Sequence, residues 1–470
     1  MRDVYVIGVH TIRFGKYLEK SIKDIAIETA QGCLKDAGLD KKEIQALWFS
    51  NSGWGYSKGQ DCIRGQVALR PMGISGIPIA NVENACASGS TAFHHAWLSV
   101  GAGLYDITMA VGAEKLYNSN KAAIFAGFLG GIDIENCVSI AEGLSVFSLT
   151  PEEKNNIERF KEKYHPREPE GEKKPKKKKP LKETLKDLRD TVVLGINLGE
   201  KLGYDTVRKM RKFSAGDHSP FMDIYGYAAR QHMKKYGSTI EQLAMIASKT
   251  HFHSTLNPNA QYRFEVPVEK VLADRIVSFP ITRSMCAPIG DGAASAILCS
   301  EEVVKRLGLM GQAVKVRASI LGSGKEYPKG EEGPEIGERL AKQAYEVAGL
   351  GPKDIHLAEV HDATSFGEMI QAENLGFCGH GEGGRLAERG ETKLGGKIPI
   401  NTSGGLTSRG HPIGASGLAQ LHELVVQLRG AAGKRQVEGA RFGMAENGGG
   451  ALGTEEAAMC MHILEAPSKK

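Results

Sequence analysis

The sequence predicts an α/β protein built from two similar halves with a dissimilar segment set between them, and three observations carry that prediction. The first is an internal repeat. Ala26-Ile27-Glu28-Thr29-Ala30, leading to Asp36-Ala37-Gly38-Leu39-Asp40-Lys41-Lys42-Glu43-Ile44, is echoed by Ala341-Lys342-Gln343-Ala344, leading to Val347-Ala348-Gly349-Leu350-Gly351-Pro352-Lys353-Asp354-Ile355. Both copies read as a helix, a glycine stop and then a strand. The second observation is a further echo: Cys86 to Glu114 and His411 to Glu446 each run from a small-residue turn through an apolar-periodic helix into a strand. The third is a change of character near Tyr117 that reverts to ordinary α/β pattern near Ile240, with Lys173-Lys174-Pro175-Lys176-Lys177-Lys178-Lys179-Pro180 at its centre. Twin halves of this kind place central helices between two sheets, so that the turns at Cys86 and His411 converge near a pseudo-twofold axis.

Along the chain, Met1-Arg2-Asp3-Val4-Tyr5-Val6-Ile7-Gly8 enters a strand at once and lacks the basic stretch and apolar run of a secretory signal. In Val82-Glu83-Asn84-Ala85-Cys86-Ala87-Ser88-Gly89-Ser90 a thiol sits on a tight turn before a helix, where backbone N–H groups and the helix dipole favour thiolate. This reads as a nucleophile. The intervening segment holds 14 basic and 10 acidic residues over Pro151–Asp190, an excess that nearly accounts for the +5 of the whole chain. The lysine run reads as a solvated excursion, and the Leu181-Leu185-Leu188 spacing after it predicts a short amphipathic helix. Gly410-His411-Pro412-Ile413-Gly414-Ala415-Ser416-Gly417 offers an imidazole at a second helix start, where burial and the dipole favour its neutral, basic form. Ala445-Glu446-Asn447-Gly448-Gly449-Gly450 follows a strand, and its glycines let backbone N–H groups approach a ligand closely.

Taken together and in this order, these segments resemble the thiolase superfamily, in particular its sterol-carrier-protein-type and archaeal acetoacetyl-CoA thiolase branches. Val360-His361-Asp362-Ala363-Thr364 and Ser284-Met285-Cys286-Ala287-Pro288-Ile289-Gly290-Asp291-Gly292-Ala293 are further matches. The resemblance implies a duplicated five-layer αβαβα fold. Residues 1–118 with 240–305 would form the N-terminal half, 119–239 a loop domain over the active site carrying the Lys-rich insertion, and 306–470 the C-terminal half.

The activity implied is that of an acyl-CoA acyltransferase, cleaving or forming a β-ketoacyl-CoA through an acyl group carried on Cys86. His411 would be the base for that thiol and would polarise the thioester oxygen. His361 stands where other thiolases use an Asn to hold a water in the first oxyanion hole, and the backbone N–H groups of Cys86 and Gly448 would form the second. The departure is at Glu446, which occupies the place of a second cysteine two residues before the oxyanion-hole glycine. Neither Cys460 nor Cys378 is placed to substitute for it, and Ala363 stands where sterol-carrier-type thiolases often show Cys. A desolvated Glu446 is adequate as the acid/base that protonates the α-carbon, while its echo in Glu114 gives a structural alternative. That departure leaves two other readings open: a Claisen-condensing enzyme of the hydroxymethylglutaryl-CoA-synthase or ketoacyl-synthase type, and a weakened thiolase-like subunit that only binds acyl-CoA.

Coenzyme A is expected as a substrate, with no covalently bound cofactor and no metal. A homodimer is expected, with a small zinc-ribbon/OB-fold protein as a further partner subunit. Outside the lysine run the chain is near neutral, which argues against nucleic acid. No segment is apolar for long enough to span a bilayer. Cysteines at 33, 62, 86, 137, 286, 299, 378 and 460 form no Cys-x-x-Cys pair, as expected of reduced thiols in a cytoplasm. The closing Ala466-Pro467-Ser468-Lys469-Lys470 is not the Ser-Lys-Leu peroxisomal address.

Overall fold

In a computed structural model, the described residues are 1–117, 124, 128–133, 149–165, 219–328, 331, 333–452 and 455–468. The lysine run, the helix expected after Pro180 and Cys137 lie outside them. The repeat seen in sequence is a repeat in space. Helix α1 (Ile22–Ala37) ends on Gly38 at φ 68° and its counterpart further along, Ile336–Ala348, ends on Gly349 at φ 66°. Both glycines hold a left-handed conformation that a side chain would strain. Each helix is followed by a single 3-10 turn, Lys41–Glu43 and Pro352–Asp354, and then by a strand.

The strands are β1 (Val4–Thr11), β2 (Ala46–Ser50), β3 (Ile79–Val82), β4 (Ile107–Lys115), β5 (Asp291–Ser300), β6 (Val314–Ser323), β7 (Leu357–Glu359), β8 (Phe442–Gly449) and β9 (Ala458–Glu465). They lie in the order β3-β2-β4-β5-β1-β6-β9-β8-β7. The order reads the same from either end: β1, β5, β4 and β2 correspond to β6, β9, β8 and β7. β2 runs parallel to both β3 and β4, β7 runs parallel to β8, and the remaining pairs of this sheet are antiparallel. The place of β3 is marked in the second half by a parallel bridge from Ile400 to Ala358. Among the described residues the strands of the two halves pair at two positions, Tyr5 with Lys315 and Val6 with Val314. Two sheets are therefore joined along one short edge.

Between the sheets run α2 (Ser88–Gly101) and, from the second half, the helix Ile413–Leu428. Phe93, Ala96 and Val100 from the first share one buried cluster with Leu418, Leu421 and Leu424 from the second, and with Val4, Val6, Leu298 and Leu464 from the sheets. The outer face of the first sheet packs under α1 and that of the second under Ile336–Ala348. This is the helix-sheet-helix-sheet-helix layering expected. Stretches of all-buried strand, such as the whole of β5, follow from being covered on both faces.

The segment between β4 and β5 supplies helices α3 (Pro151–Tyr164), α4 (Pro220–Tyr236) and α5 (Ile240–Thr255). Phe160, Ala229, Leu243 and Ile246 from these helices share a separate cluster with Phe366 and Met369 of the second half. The insertion thus leans across the seam between halves. We number the second-half helices α6 (Ile336–Ala348), α7 (Ser365–Asn374) and α8 (Ile413–Leu428). Among the described residues no helix is long and apolar enough to cross a membrane.

Close approach of α8 to α2 and to β4 depends on residues without side chains. A Cβ on Gly112 would lie 2.1 Å from the Gly414 carbonyl oxygen, and one on Gly417 would lie 2.2 Å from Ser90 Oγ. Gly112→Ala is expected to destabilise the protein by about 1–3 kcal/mol through overpacking against backbone, measured by urea denaturation. Gly311→Ala, which meets nothing within 4 Å, is the control and should stay within about 0.5 kcal/mol of the parent.

Candidate active site

The turn before α2 holds Cys86 in a conformation that its neighbours enforce. Ala85 sits at φ 47°, a left-handed value that costs an L-residue about 1–2 kcal/mol. Around it the amide of Ala87 donates to the Asn84 carbonyl at 2.9 Å, and the Asn84 amide donates to Ser88 Oγ at 2.8 Å. The Ser88 hydroxyl donates in turn to the Ala85 carbonyl at 2.6 Å. Gly449 closes the turn from the other side, since any Cβ there would lie 2.3 Å from the Asn84 oxygen and 2.4 Å from the Ala87 nitrogen. Strain held this firmly is the usual setting of a functional residue.

Across the seam, the start of α8 delivers His411. Its Nε2 lies 3.2 Å from Cys86 Sγ, although the two residues are 325 positions apart in the chain. Its Nδ1 lies 2.7 Å from Ser416 Oγ, and the Ser416 hydroxyl donates to the Pro412 carbonyl at 3.0 Å. With its proton so committed, Ser416 can only accept from Nδ1–H, which leaves the Nε2 lone pair facing the thiol. Burial, reinforced by His361 and Arg409, pushes the His411 imidazole well below its ordinary value. The histidine rests neutral.

The thiol differs from expectation. Burial pushes Cys86 up to about 12, with Glu83 and Glu114 adding to the rise and the backbone N–H groups of Gly450 and Cys86 only partly opposing it. The helix begins at Ser88, so Cys86 stands outside its first turn, and desolvation outweighs the dipole on which thiolate depended. The resting pair is thiol and neutral imidazole.

His361 reaches the same place from the end of β7. Its ring meets that of His411 edge to face with centroids 5.2 Å apart. Asn447 Nδ2 donates to its Nδ1 at 3.0 Å, which leaves Nε2 as the donor of the neutral ring. Burial pushes this imidazole down to about 4. Asp362, its neighbour in sequence, turns away and accepts from the Leu406 amide at 2.6 Å. Cys86, His361 and His411 place their donor atoms within 4.8 Å of one another, close enough to bind a metal as well as to act on a substrate.

Glu446 is placed otherwise than expected. It is fully buried and does not line the cavity into which Cys86, His361 and His411 open. Its Oε2 accepts from the His361 backbone amide at 2.8 Å. Glu114 does the same work in the first half, accepting from the amides of Ser52 at 2.9 Å and Gly53 at 3.0 Å and reaching Gly414 at 3.2 Å. Both are strand carboxyls, Glu114 near the end of β4 and Glu446 within β8, that hold the loop after a neighbouring strand. Glu446 thus shares the structural role of Glu114 through one oxygen, while its Oε1 is buried without a hydrogen-bond partner among the described residues. Burial pushes Glu446 up to about 8.

The cavity has a volume of about 390 Å³. Phe221, Met222, Val277 and Ile289 give it apolar walls, Lys16, Arg275 and Arg283 stand on its lining, and Gly448, Gly449 and Gly450 form part of its floor. The Gly448 amide lies beside the Glu446 carboxyl and favours its charged form. Sequence reasoning missed four residues here. Ser416 and Asn447 fix the two histidine tautomers, and their positions inside the quoted glycine-rich motifs were the available signal. Tyr225 and Glu456 also line the cavity, and nothing local in sequence marks either.

Comparison with known proteins follows this geometry. Residues 4–144 match the thiolase N-terminal domain family and residues 336–462 the thiolase C-terminal domain-like family. An acetyl-CoA acetyltransferase of Methanothermobacter thermautotrophicus is 33% identical over 455 residues, spanning 97% of this chain and 98% of that protein. Sterol carrier protein 2 of Oryctolagus cuniculus is 32% identical over 465 residues, spanning 96% of this chain and 71% of its own length. Among solved structures, a chain of an Ltp2-ChsH2(DUF35) aldolase superposes with a TM-score of 0.68 at 18% identity, covering 100% of this chain and 99% of that one.

Two outcomes follow. A neutral resting pair means that alkylation of Cys86 by iodoacetamide accelerates steadily with pH through neutrality, without the plateau of an imidazolium–thiolate pair. Because the folded-state value of Glu446 is raised from 4.5 to about 8, its protonation stabilises the fold below the unfolded value, and that contribution is lost as pH rises through the folded one. Glu446→Gln should therefore unfold in urea with a shallower decline in stability across that window than the parent shows.

Proposed function

The chain belongs to the thiolase family, within the acyl-CoA acyltransferases, and from that premise we propose that it transfers acyl groups to and from coenzyme A through a thioester on Cys86. The observation that carries this reading is the 3.2 Å contact between His411 Nε2 and Cys86 Sγ. An imidazole whose Nδ1–H is committed to Ser416 takes the thiol proton through Nε2 as sulfur attacks the carbonyl carbon of a β-ketoacyl-CoA. The carbon–carbon bond breaks, its electron pair forms the enolate of the departing thioester, and the acyl group stays on sulfur. The coenzyme's thiol then attacks that acyl group and Cys86 recovers its proton from His411.

The developing negative oxygen needs donors fixed before the reaction begins. The Nε2–H of His361, held in that tautomer by Asn447, supports its assignment to the enolate oxygen. The backbone N–H groups of Cys86 and Gly448, with Gly448 on the cavity floor, are assigned to the tetrahedral intermediate. Lys16, Arg275 and Arg283 place positive charge where coenzyme phosphates would enter, and the apolar wall opposite suits an acyl chain. Residues 119–239 are assigned as the cover of that entrance. The intact nucleophile and base favour this reading over a binding subunit without catalysis.

A homodimer is proposed along the first half, where β3 is the outermost strand and among the described residues pairs only with β2. A separate partner subunit is proposed as well, supported by the likeness in fold to the Ltp2-ChsH2(DUF35) aldolase. The scattered cysteines support a reducing, cytoplasmic setting.

Mixing the protein with acetyl-CoA and measuring intact mass should reveal one added acetyl group, absent from Cys86→Ala; acetylation that persists in that variant would sink the assignment. His411→Ala should keep the fold and lose about 10²–10⁴-fold in turnover, followed by thiolysis of acetoacetyl-CoA. Size-exclusion chromatography of the purified chain should give a dimer, and full activity of that isolated dimer would remove the partner subunit from the proposal.

A further inference from the structure

Glu446 is turned to the His361 backbone, the thiol of Cys286 on the cavity lining donates to the Thr282 carbonyl at 3.4 Å, and Cys460 faces Thr91 at 3.7 Å, so the group that moves protons at the α-carbon must lie elsewhere. The connection between β8 and β9 supplies it. Glu455 is fully engaged outside the cavity: its Oε2 accepts from the Lys325 amide at 2.7 Å and its Oε1 from the Ile336 amide at 3.1 Å. Glu455 also pairs with Leu452 through the backbone. The next residue then faces the other way. Glu456 lines the same cavity as Cys86, His361 and His411.

Its carboxyl lies against the glycine floor. A Cβ on Gly448 would lie 3.0 Å from Glu456 Cγ and 3.4 Å from both Glu456 Oε1 and Glu446 Oε1, and of these two carboxyls Glu456 is the one on the cavity lining. Among the described residues it has no ion pair, unlike Glu455, Glu359 and Glu423. The Tyr225 phenol, on the same cavity lining, feels the charge of Glu456 more than that of any other group, with Cys86 next. A half-buried carboxyl without a cation, on the same cavity lining as the nucleophile, is an arrangement enzymes use for proton transfer.

We propose that Glu456 is the acid/base residue of this enzyme, giving a proton to the α-carbon of the departing thioester and taking one from the incoming coenzyme thiol. The proposal rests on the reading of Cys86 as acyl carrier. As the bond between α- and β-carbons breaks, its electron pair passes through the enolate to a new carbon–hydrogen bond formed with the proton of Glu456. The resulting carboxylate accepts the proton of the coenzyme thiol, whose sulfur attacks the acyl-Cys86 carbonyl and expels the Cys86 thiolate. That thiolate takes back the proton lodged on His411, so both groups return to their starting states and no other reactant is needed. Burial, which pushes Glu456 up to about 7, lets it serve in both directions near neutrality.

The test uses the full chain with acetyl-CoA in deuterium oxide, reading Cys86 acetylation by intact mass and exchange of the acetyl methyl protons by mass spectrometry of the thioester. Glu456→Gln should still be acetylated at Cys86, more slowly because the leaving coenzyme thiolate has lost its proton donor, and should lose at least about 100-fold in exchange, well beyond its loss in acetylation. Added formate should restore part of the exchange in Glu456→Ala, a rescue that a structural role would not give. Exchange that persists in Glu456→Gln, or that disappears in Glu446→Gln alone, overturns the assignment while leaving the acyl-enzyme reading intact. If Glu456→Gln does not fold, Glu456→Asp decides: acetylation retained with exchange reduced at least tenfold supports the assignment, and unchanged exchange overturns it. A parent protein that is not acetylated at all overturns both readings together, and is told apart by the missing mass increment.

Discussion

The site exists because two helix tips touch. At the contact between α2 and α8, backbone approaches backbone: a Cβ on Gly89 would stand 3.1 Å from both the Gly414 oxygen and the Leu418 nitrogen, and Gly112 would collide with the same carbonyl. Only glycine allows the approach. The Ser50 hydroxyl donates to the Gly414 oxygen at 2.6 Å and the Gly414 amide donates to Glu114 at 3.2 Å, so the tip of the second-half helix is hydrogen-bonded into the first half. His411 lies three residues before Gly414 and Cys86 three before Gly89. Their contact is a consequence of that seam, since neither residue is held to the other by anything nearer in the chain.

Duplication then explains how one scaffold yields unlike roles. Glu114 and Glu446 both lie on a strand beside a central helix and both take up amides of the loop after the neighbouring strand. In the first half that loop carries Asn51 to Gly53 and serves packing. In the second it carries His361, so the same carboxyl device now orients a ring that opens into the cavity. Asn447 and Ser416 complete the arrangement by leaving Nε2 of His361 a donor and Nε2 of His411 an acceptor. One pocket therefore holds two neutral histidines with opposite functions, set by their hydrogen-bond partners and not by their own chemistry.

Desolvation is the common electrostatic condition. It holds Cys86 protonated, keeps both histidines neutral and raises the carboxyls around them. A site at rest without net charge separation avoids the cost of isolated buried ions. Charge then develops as substrate arrives, and the donors meant for it are already in position.

Much of this was legible in the sequence because local rules wrote it there. The helix stops at Gly38 and Gly349, the paired helix-to-strand units, and the turns carrying Cys86 and His411 all follow from residue types at short spacing, and together they determine the duplicated layers and the two residues in contact. The sequence could not decide which way a carboxyl faces. Glu446, beside the glycine motif, and Glu456, ten residues later beyond a turn, are equally acidic in a string of letters. Only the pairing of β8 with β9, the anchoring of Glu455 and the occupation of Glu446 by the His361 amide determine which of them meets the cavity. Side-chain direction and solvation are properties of the packed molecule, and the state of Cys86 turned on the same point: its helix-tip position was plain, but the burial that outweighs the dipole arises only when the two halves close.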